Sequence, residues 1–567
     1  MTVRAWFVAV ASVVVLFGTV APALAQIEEL TPVTDAVLQD PDPADWLSWR
    51  RTLDGWGYSP LDEIDRGNVG ELRLAWSWGM EPGVSQTTPM VHDGILYLAN
   101  PGNVVQAIDA GSGDFIWEYR REMEAARRPA AQMRSLAIYE DLIILNTVDA
   151  HVVGLDARTG EVRWDTPVMP EEDGYGFSSG PVIAGGVIVA GLRGCERFRE
   201  DTCYIVGLDA RTGQALWRTS TIARPGERGG DTWGDLPLLF RAGSDAWIPG
   251  SYDPATGLVF YGTAQAKPWS RDARGTDGDA LYSNSTLALD PATGEMAWYF
   301  QHIPGDSHDM DETFERILID YDGKQSVFSM GKLAILWELD RASGAFTSAV
   351  DLGYQNILDV DPDTGAVTYR EGMVSGVGEE LFFCPSTGGF KSLRAMAYHP
   401  DTTALYIPLN LNCETAAFGP VERRLGGGGT GGVRGRLNHF HPDAPDQMGE
   451  FQALDIRTGE TLWKHRRRAP YNTAALTTAG GLVFVGEWER YVFAYDAASG
   501  EQLWQSRLTT MSNGYPIAYA VDGKQYIAFS AGGPLGGSSW TSILPADLLR
   551  EMRNPRQGNA LFVFALP

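Results

Sequence analysis

One cassette recurs along this chain: an apolar strand-like run, Asp, three residues, Gly, three residues, Trp. It reads AIDAGSGDFIW ending at Trp117, GLDARTGEVRW at Trp164, GLDARTGQALW at Trp217, ALDPATGEMAW at Trp298, ALDIRTGETLW at Trp463 and AYDAASGEQLW at Trp504. A further copy, ELDRASGAF, lacks the Trp. Each copy reads as a β-hairpin, with Asp accepting backbone N–H bonds in the turn, Gly in the left-handed position and a second strand after it. A large flat side chain at one place in every repeat suits packing between neighbouring sheets. Strand-like runs such as GILYLAN, DLIILNT, GGVIVAG, GLVFYGT and GGLVFVG abound, whereas long amphipathic helices are missing from the pattern. Repeated antiparallel sheets carrying one Trp each predict an all-β chain folded as a β-propeller with Trp-docking repeats. The last strand, NALFVFALP, is expected to close the ring against an early one, so that residues 26–567 form a single domain. Repeat spacing alone leaves seven and eight blades open.

The chain begins with one basic residue, Arg4, followed by an apolar run from Ala5 to Val20 and the small-residue ending APALA before Gln26. This is the pattern of a secretory signal peptide over residues 1–25, cleaved after Ala25, and too short for a membrane span. In a bacterial context the mature chain is then expected in the periplasm, with no membrane span after cleavage. The chain has 72 acidic and 45 basic residues and a formal net charge of -27. That balance argues against nucleic acid or anionic lipid as a partner, because both require clustered Lys and Arg. The one compact basic run, KHRRR from Lys464 to Arg468, reads as a solvated strand end. Four cysteines in an exported chain read as two disulfides; of the three possible pairings, Cys195–Cys203 and Cys384–Cys413 are the ones expected here. No C-x-x-C-H occurs, so no c-type haem is attached to this chain.

The stretch HIPGDSHDMDETFE, His302 to Glu315, holds five acidic residues and no Lys or Arg. Composition alone favours a solvated acidic loop; the sharper alternative is a hard-cation site with a general base in it.

The Trp cassettes, together with the opening WLSWRRTLDGWGYSPLDEIDRGNVGELRLAW, resemble the methanol dehydrogenase-like quinoproteins, the alcohol dehydrogenases dependent on pyrroloquinoline quinone (PQQ). The resemblance covers nearly the whole mature chain and implies an eight-bladed propeller with PQQ on its axis. It makes Glu196, Gln265, Asp309 and Asp311 metal ligands, Gln265 standing where the family usually has Asn. Asp309 falls at the position of the catalytic base. An Asp at the position of Asp311 resembles the family members that use a lanthanide rather than calcium, since a trivalent ion favours one more carboxylate. Trp247 becomes the floor under the PQQ ring, and Arg134, Ser178, Lys332, Gln86 and Ser392 become its other contacts. Lys332, in place of the Arg of methanol enzymes, and Asn472, in place of a pocket Trp, lean towards substrates larger than methanol in a wider cavity. His308 and Asp306 read as loop residues, and the Gly426–Gly432 run as a flexible insertion.

These expectations amount to a periplasmic oxidoreductase that moves a hydride from an alcohol to metal-activated PQQ, with calcium or a lanthanide ion as the metal and a soluble cytochrome c taking the electrons. Two other readings stand beside it: a quinoprotein sugar or aldehyde dehydrogenase, and a non-catalytic propeller scaffold for protein assembly, since scaffolds of the same fold also carry the Trp cassette.

Overall fold

A computed structural model describes residues 27, 29–123, 132–170, 173–201, 203–374, 376–533, 543–555 and 557–567. The expected signal peptide lies outside the described residues. Among those described, the only α-helices are Asp35–Gln39, Arg271–Arg274 and Ala546–Glu551, and no helix is long and apolar enough to cross a membrane. The rest of the regular structure is almost entirely strand, as the cassettes require.

Each full cassette supplies the last hairpin of an antiparallel sheet whose strands are joined in chain order. The first such sheet consists of Met90–His92, Ile95–Asn100, Val104–Asp109 and Phe115–Arg120. The same plan recurs over residues 137–167, 182–220, 251–301, 316–351, 397–467 and 476–507. The turn chemistry is the one read from the residues. Asp109 accepts the N–H groups of Gly111 at 3.0 Å and Ser112 at 2.7 Å, and Gly113 holds φ 81°, in the left-handed region.

The tryptophans dock each sheet onto the next. A Cβ on Gly160 would lie 2.5 Å from the Trp117 ring, one on Gly294 2.4 Å from Trp217, and one on Gly344 2.4 Å from Trp298. The indole N–H groups of the same three tryptophans donate to the carbonyls of Ala157, Pro291 and Arg341 in those neighbouring turns. Within its own sheet each Trp lies opposite a small residue, as in Ala107–Trp117, Gly154–Trp164, Gly207–Trp217 and Ala288–Trp298. This explains why Ala or Gly stands two places before each cassette Asp. The copy without Trp has Glu338 at that place, hydrogen-bonded to Tyr321, Ser326 and Ser348. Its Phe346 packs instead against Gly365 of a small hairpin, Leu358–Val360 with Val367–Tyr369.

Ring closure joins the two ends of the chain. Ala560–Ala565, in NALFVFALP, pairs antiparallel with both Lys524–Ala531 and the early strand Arg73–Gly79. The early strand brings Trp76, whose ring packs on Gly113 and whose N–H donates to Ala110. Trp76 therefore performs the docking task of a cassette tryptophan although no cassette surrounds it in sequence. The preceding stretch WLSWRR ties several sheets together: the Trp49 N–H donates to Gly250, and the buried Arg50 donates to Met396 at 2.7 Å and Ala475 at 2.8 Å.

An inserted sheet of Glu380–Phe383, Asn412–Phe418 and Val433–Phe440 branches from the 397–467 repeat. The disulfide Cys384–Cys413 anchors it, and Cys195–Cys203 forms the second expected bridge. The Gly426–Gly432 run is not the free insertion that its composition suggested. Gly426 and Gly429 donate to Phe198 and Glu196, and Phe198 donates to Gly427, so the run lies along the Glu196–Phe198 backbone. The KHRRR segment is a strand end whose arginines are paired: Arg466 with Glu450, Arg467 with Glu487 and Arg468 with Glu551.

Candidate active site

The stretch His302–Glu315 connects strand Met296–Gln301 to strand Arg316–Tyr321 and is buried through most of its length, which rules out a solvated loop. Buried carboxylates need partners, and these have them. Glu315 pairs with Lys391 at 2.6 Å, with both side chains fully buried. Asp306 accepts the N–H groups of His308 at 2.9 Å and Met310 at 2.6 Å. This turn holds Asp309 at φ 69°, a conformation that costs a non-glycine residue energy and that clusters at functional sites. Asp306 thus sets the backbone under Asp309. His308 is buried among Tyr369, Phe383 and Phe418, with Nδ1 3.9 Å from Asp306 Oδ1.

Asp309 and Asp311 converge on one ammonium group. Lys332 Nζ lies 3.1 Å from Asp309 Oδ2 and 2.9 Å from Asp311 Oδ2, and also donates to the Asp309 carbonyl at 2.8 Å. The Gln265 side-chain amide donates to Asp309, and its backbone N–H donates to Asp311 at 3.2 Å. Burial pushes the Asp309 carboxyl well above its ordinary range, against the pull of Lys332 and with a push from Asp311. Burial also opposes the charge on Lys332, but the two carboxylates outweigh it and hold the ammonium up.

Trp247 forms one wall of a cavity of about 250 Å³ that is also lined by Trp269, Asp309, Asp311, Lys332, Ser392 and Arg436. Trp247 packs against a cluster that includes Trp49, Ile248, Phe314, Leu393 and Tyr515, from well-separated parts of the chain. The Arg134 guanidinium carbon stands 4.9 Å from the Trp247 ring centroid, and Arg134 donates to the Ser178 carbonyl at 3.0 Å. Burial lowers the Arg134 pKa to about 10, which leaves it charged at neutral pH. The Ser178 hydroxyl donates to the Trp247 carbonyl at 3.4 Å. Gln86 is buried two residues before Thr88, whose N–H donates to the Arg134 carbonyl at 2.7 Å.

Of the residues singled out from the sequence, Trp247, Asp309, Asp311, Lys332 and Ser392 line this cavity, and Gln265 and Arg134 touch its walls directly. Glu196 stands further off. Among the described residues its carboxylate does not join those of Asp309 and Asp311 in a group tight enough to share one ion. Asn472 does not reach the cavity and donates to the Ser512 carbonyl at 2.9 Å.

Several site residues went unnoticed in the sequence. Arg436 and Thr387 share the buried carboxylate of Glu414, with Arg436 Nε 2.6 Å from it. Lys267 pairs with Asp245 at 3.0 Å. A signal for that pair existed: Asp245 lies two residues before Trp247, and Lys267 two residues after Gln265.

The donor set suits a hard cation and a flat polyanion. Gln265 Oε1 is a buried acceptor with no hydrogen-bond partner among the described residues, beside two carboxylates. Around Arg134, the Arg134 Nε, both ends of the Gln86 amide and the Thr88 hydroxyl are buried without partners among the described residues. Orphaned donors next to a half-buried tryptophan face and a buried guanidinium fit an anionic aromatic ligand.

The family model for the PQQ glucose/ethanol/alcohol dehydrogenase β-propeller domain matches residues 46–351 and 465–527. The quinoprotein alcohol dehydrogenase PedH of Pseudomonas putida is 30% identical over 94% of this chain and 93% of its own length. The quinohemoprotein alcohol dehydrogenase ADH-IIG of the same species is 31% identical over 92% of this chain and 77% of its own. Among solved structures, a europium-containing methanol dehydrogenase superposes with a TM-score of 0.84 at 25% identity, covering 94% of this chain and 99% of that one.

Proposed function

Since this chain belongs to the β-propeller family of PQQ-dependent alcohol dehydrogenases, oxidoreductases acting on alcohols, we propose that it is a periplasmic, eight-bladed member that oxidises an alcohol larger than methanol. The blade number is supported by the seven four-stranded sheets and the one five-stranded sheet among the described residues. The observation that carries the functional reading is the convergence of Asp309, Asp311, Lys332 and Gln265 on a cavity walled by Trp247.

Trp247, Arg134, Ser178, Gln86, Ser392 and Lys332 would hold PQQ, and Gln265, Asp309 and Asp311 would hold calcium or a lanthanide ion, with Glu196, which stands apart from that group, joining as a fourth ligand only by moving towards it. So placed, the quinone supplies a two-electron acceptor and the ion a Lewis acid that polarises it. The protein's own contribution is the handling of the proton. Asp309 lines the cavity, and its burial raises its affinity for the hydroxyl proton of an alcohol held there. Lys332 steadies the carboxylate in its ionised form and fixes its direction through contacts to both its side chain and its carbonyl. The acidic surface, with a net charge of -27, suits a basic electron carrier such as a soluble cytochrome c.

The test is reconstitution of purified protein with PQQ and either calcium or lanthanum, followed by dye-linked assay of primary, secondary and polyhydric alcohols beside methanol, sugars and aldehydes. Oxidation of the larger alcohols ahead of methanol is expected. Turnover of sugars or aldehydes alone would move the chain to the neighbouring reading, and no turnover with either ion would overturn the assignment.

A further inference from the structure

The metal reading gives four acidic or amide ligands and leaves unexplained a second ammonium group buried beside them. Lys267 lies in the short strand Ala266–Lys267, which pairs with Ala242–Gly243. Its side chain is 13% exposed, and its Nζ is 3.0 Å from Oδ2 of Asp245, itself 3% exposed. The other oxygen of Asp245 accepts the Cys195 N–H at 3.0 Å, one residue before Glu196. On the other side, Lys267 follows by two residues Gln265, whose N–H donates to Asp311 at 3.2 Å. The Lys267 ammonium group is thus fixed by Asp245 between the segment that carries Glu196 and the one that carries Gln265.

We propose that Lys267 is a built-in counter-cation of the metal site, held there by Asp245, that weakens the site's preference for trivalent over divalent ions. The inference rests on the reading of Glu196, Gln265, Asp309 and Asp311 as the ligand set. With the acids ionised and both lysines in their ordinary charged form, the four carboxylates of Glu196, Asp245, Asp309 and Asp311 stand against the two ammonium groups of Lys267 and Lys332, leaving two negative charges. A divalent ion neutralises that remainder, and a trivalent one overshoots it. An acid count that omits Lys267, such as one resting on Asp311 alone, overstates the pull on a trivalent ion.

Coulomb energy scales with the product of charges, so a change in site charge acts on a trivalent ion one and a half times as strongly as on a divalent one. If Lys267→Met tightens calcium binding on the order of tenfold, it tightens terbium binding about thirtyfold. The experiment is equilibrium dialysis of the PQQ-loaded protein against calcium and against terbium, with bound metal measured by elemental analysis. Lys267→Met is expected to shift the terbium-to-calcium affinity ratio upward by about threefold. Asp245→Asn, which removes a negative charge, is expected to shift it downward. The double variant Asp245→Asn/Lys267→Met restores the net charge and is expected to return the ratio to the wild-type value. If both ions bind and the ratio stays unchanged in Lys267→Met and in Asp245→Asn, the counter-cation role is wrong. If the wild type binds neither ion, or if Asp309→Asn and Asp311→Asn leave both affinities unchanged, the ligand set itself is wrong. Asp245→Asn provides the opposite sign of the effect independently of whether Lys267→Met folds.

Discussion

The pentapeptide DPATG occurs twice, at Asp253–Gly257 and at Asp290–Gly294, and folds the same way both times. The Asp accepts the N–H of Ala255 at 3.0 Å in one turn and of Ala292 at 2.8 Å in the other. Gly257 holds φ 69° and Gly294 φ 73°. They differ in what lies above them. A Cβ on Gly257 meets nothing within 4 Å, whereas one on Gly294 would lie 2.4 Å from the Trp217 ring and 2.8 Å from the Thr219 hydroxyl. Alanine at either position bears the left-handed backbone strain of about 1–2 kcal/mol. At Gly294 the Trp217 ring must also retreat, adding about 1–3 kcal/mol of overpacking and about 1 kcal/mol for its hydrogen bond to Pro291. Gly294→Ala should therefore destabilise the fold by about 2–4 kcal/mol more than Gly257→Ala. Urea unfolding of both variants, followed by far-UV circular dichroism, measures the difference. Equal midpoints would refute the claim that tryptophan docking holds neighbouring sheets together.

Further outcomes follow from buried charges and from the disulfides. Burial works against the His92 imidazolium, but hydrogen bonds to Asp45 at 2.8 Å and to the Thr31 carbonyl outweigh it and raise its pKa above 6.5. A raised folded pKa stabilises fully below the unfolded value and is lost as pH climbs through the folded one. Melting curves of the wild type should thus fall relative to those of His92→Gln as pH rises above 6.5, and parallel curves would count against this. Lys391→Met strands the buried Glu315 carboxylate and should cost about 3–5 kcal/mol, with part of the loss recovered in Lys391→Met/Glu315→Gln; denaturant midpoints that leave the double variant no better than the single one would contradict the pairing. Removing the Cys384–Cys413 bridge, which spans 29 residues, should cost about 3.6 kcal/mol, and Cys195–Cys203, which spans 8, about 2.5 kcal/mol, as read from the same unfolding curves. The reverse order would show that strain or local structure outweighs loop closure.

The repeats were legible because each is a local hairpin: Asp, Gly and Trp lie within a few residues of one another, and their roles follow from turn chemistry and ring size. Trp76 was not legible in the same way, because its sheet-mates are at the opposite end of the chain. The inserted sheet was missed for a related reason. Its strands are separated by long connections, and the exposed apolar residues Phe382 and Leu437 interrupt the burial pattern that would mark a strand. Within the site, Asp309, Asp311, Trp247 and Lys332 could be named through a family resemblance, and the fold brings them to one cavity. Charge pairing across strands cannot be read from spacing. Lys267 and Asp245 therefore went unnoticed although each lies two residues from a residue that was singled out, and composition alone could not tell the acidic stretch from Asp306 to Glu315 from a solvated loop, since its partners Lys332 and Lys391 lie elsewhere in the chain.

In the proposed mechanism Asp309 accepts the proton as the cavity oxidises an alcohol. PQQ-loaded wild type and Asp309→Asn are to be compared in alcohol-dependent dye reduction, with bound quinone, bound metal and melting temperature recorded for both. The variant is expected to melt like the wild type and to bind one PQQ per chain, while turnover falls by about 10²–10⁴-fold. A variant that binds quinone and metal normally and still turns over at close to the wild-type rate would contradict the account.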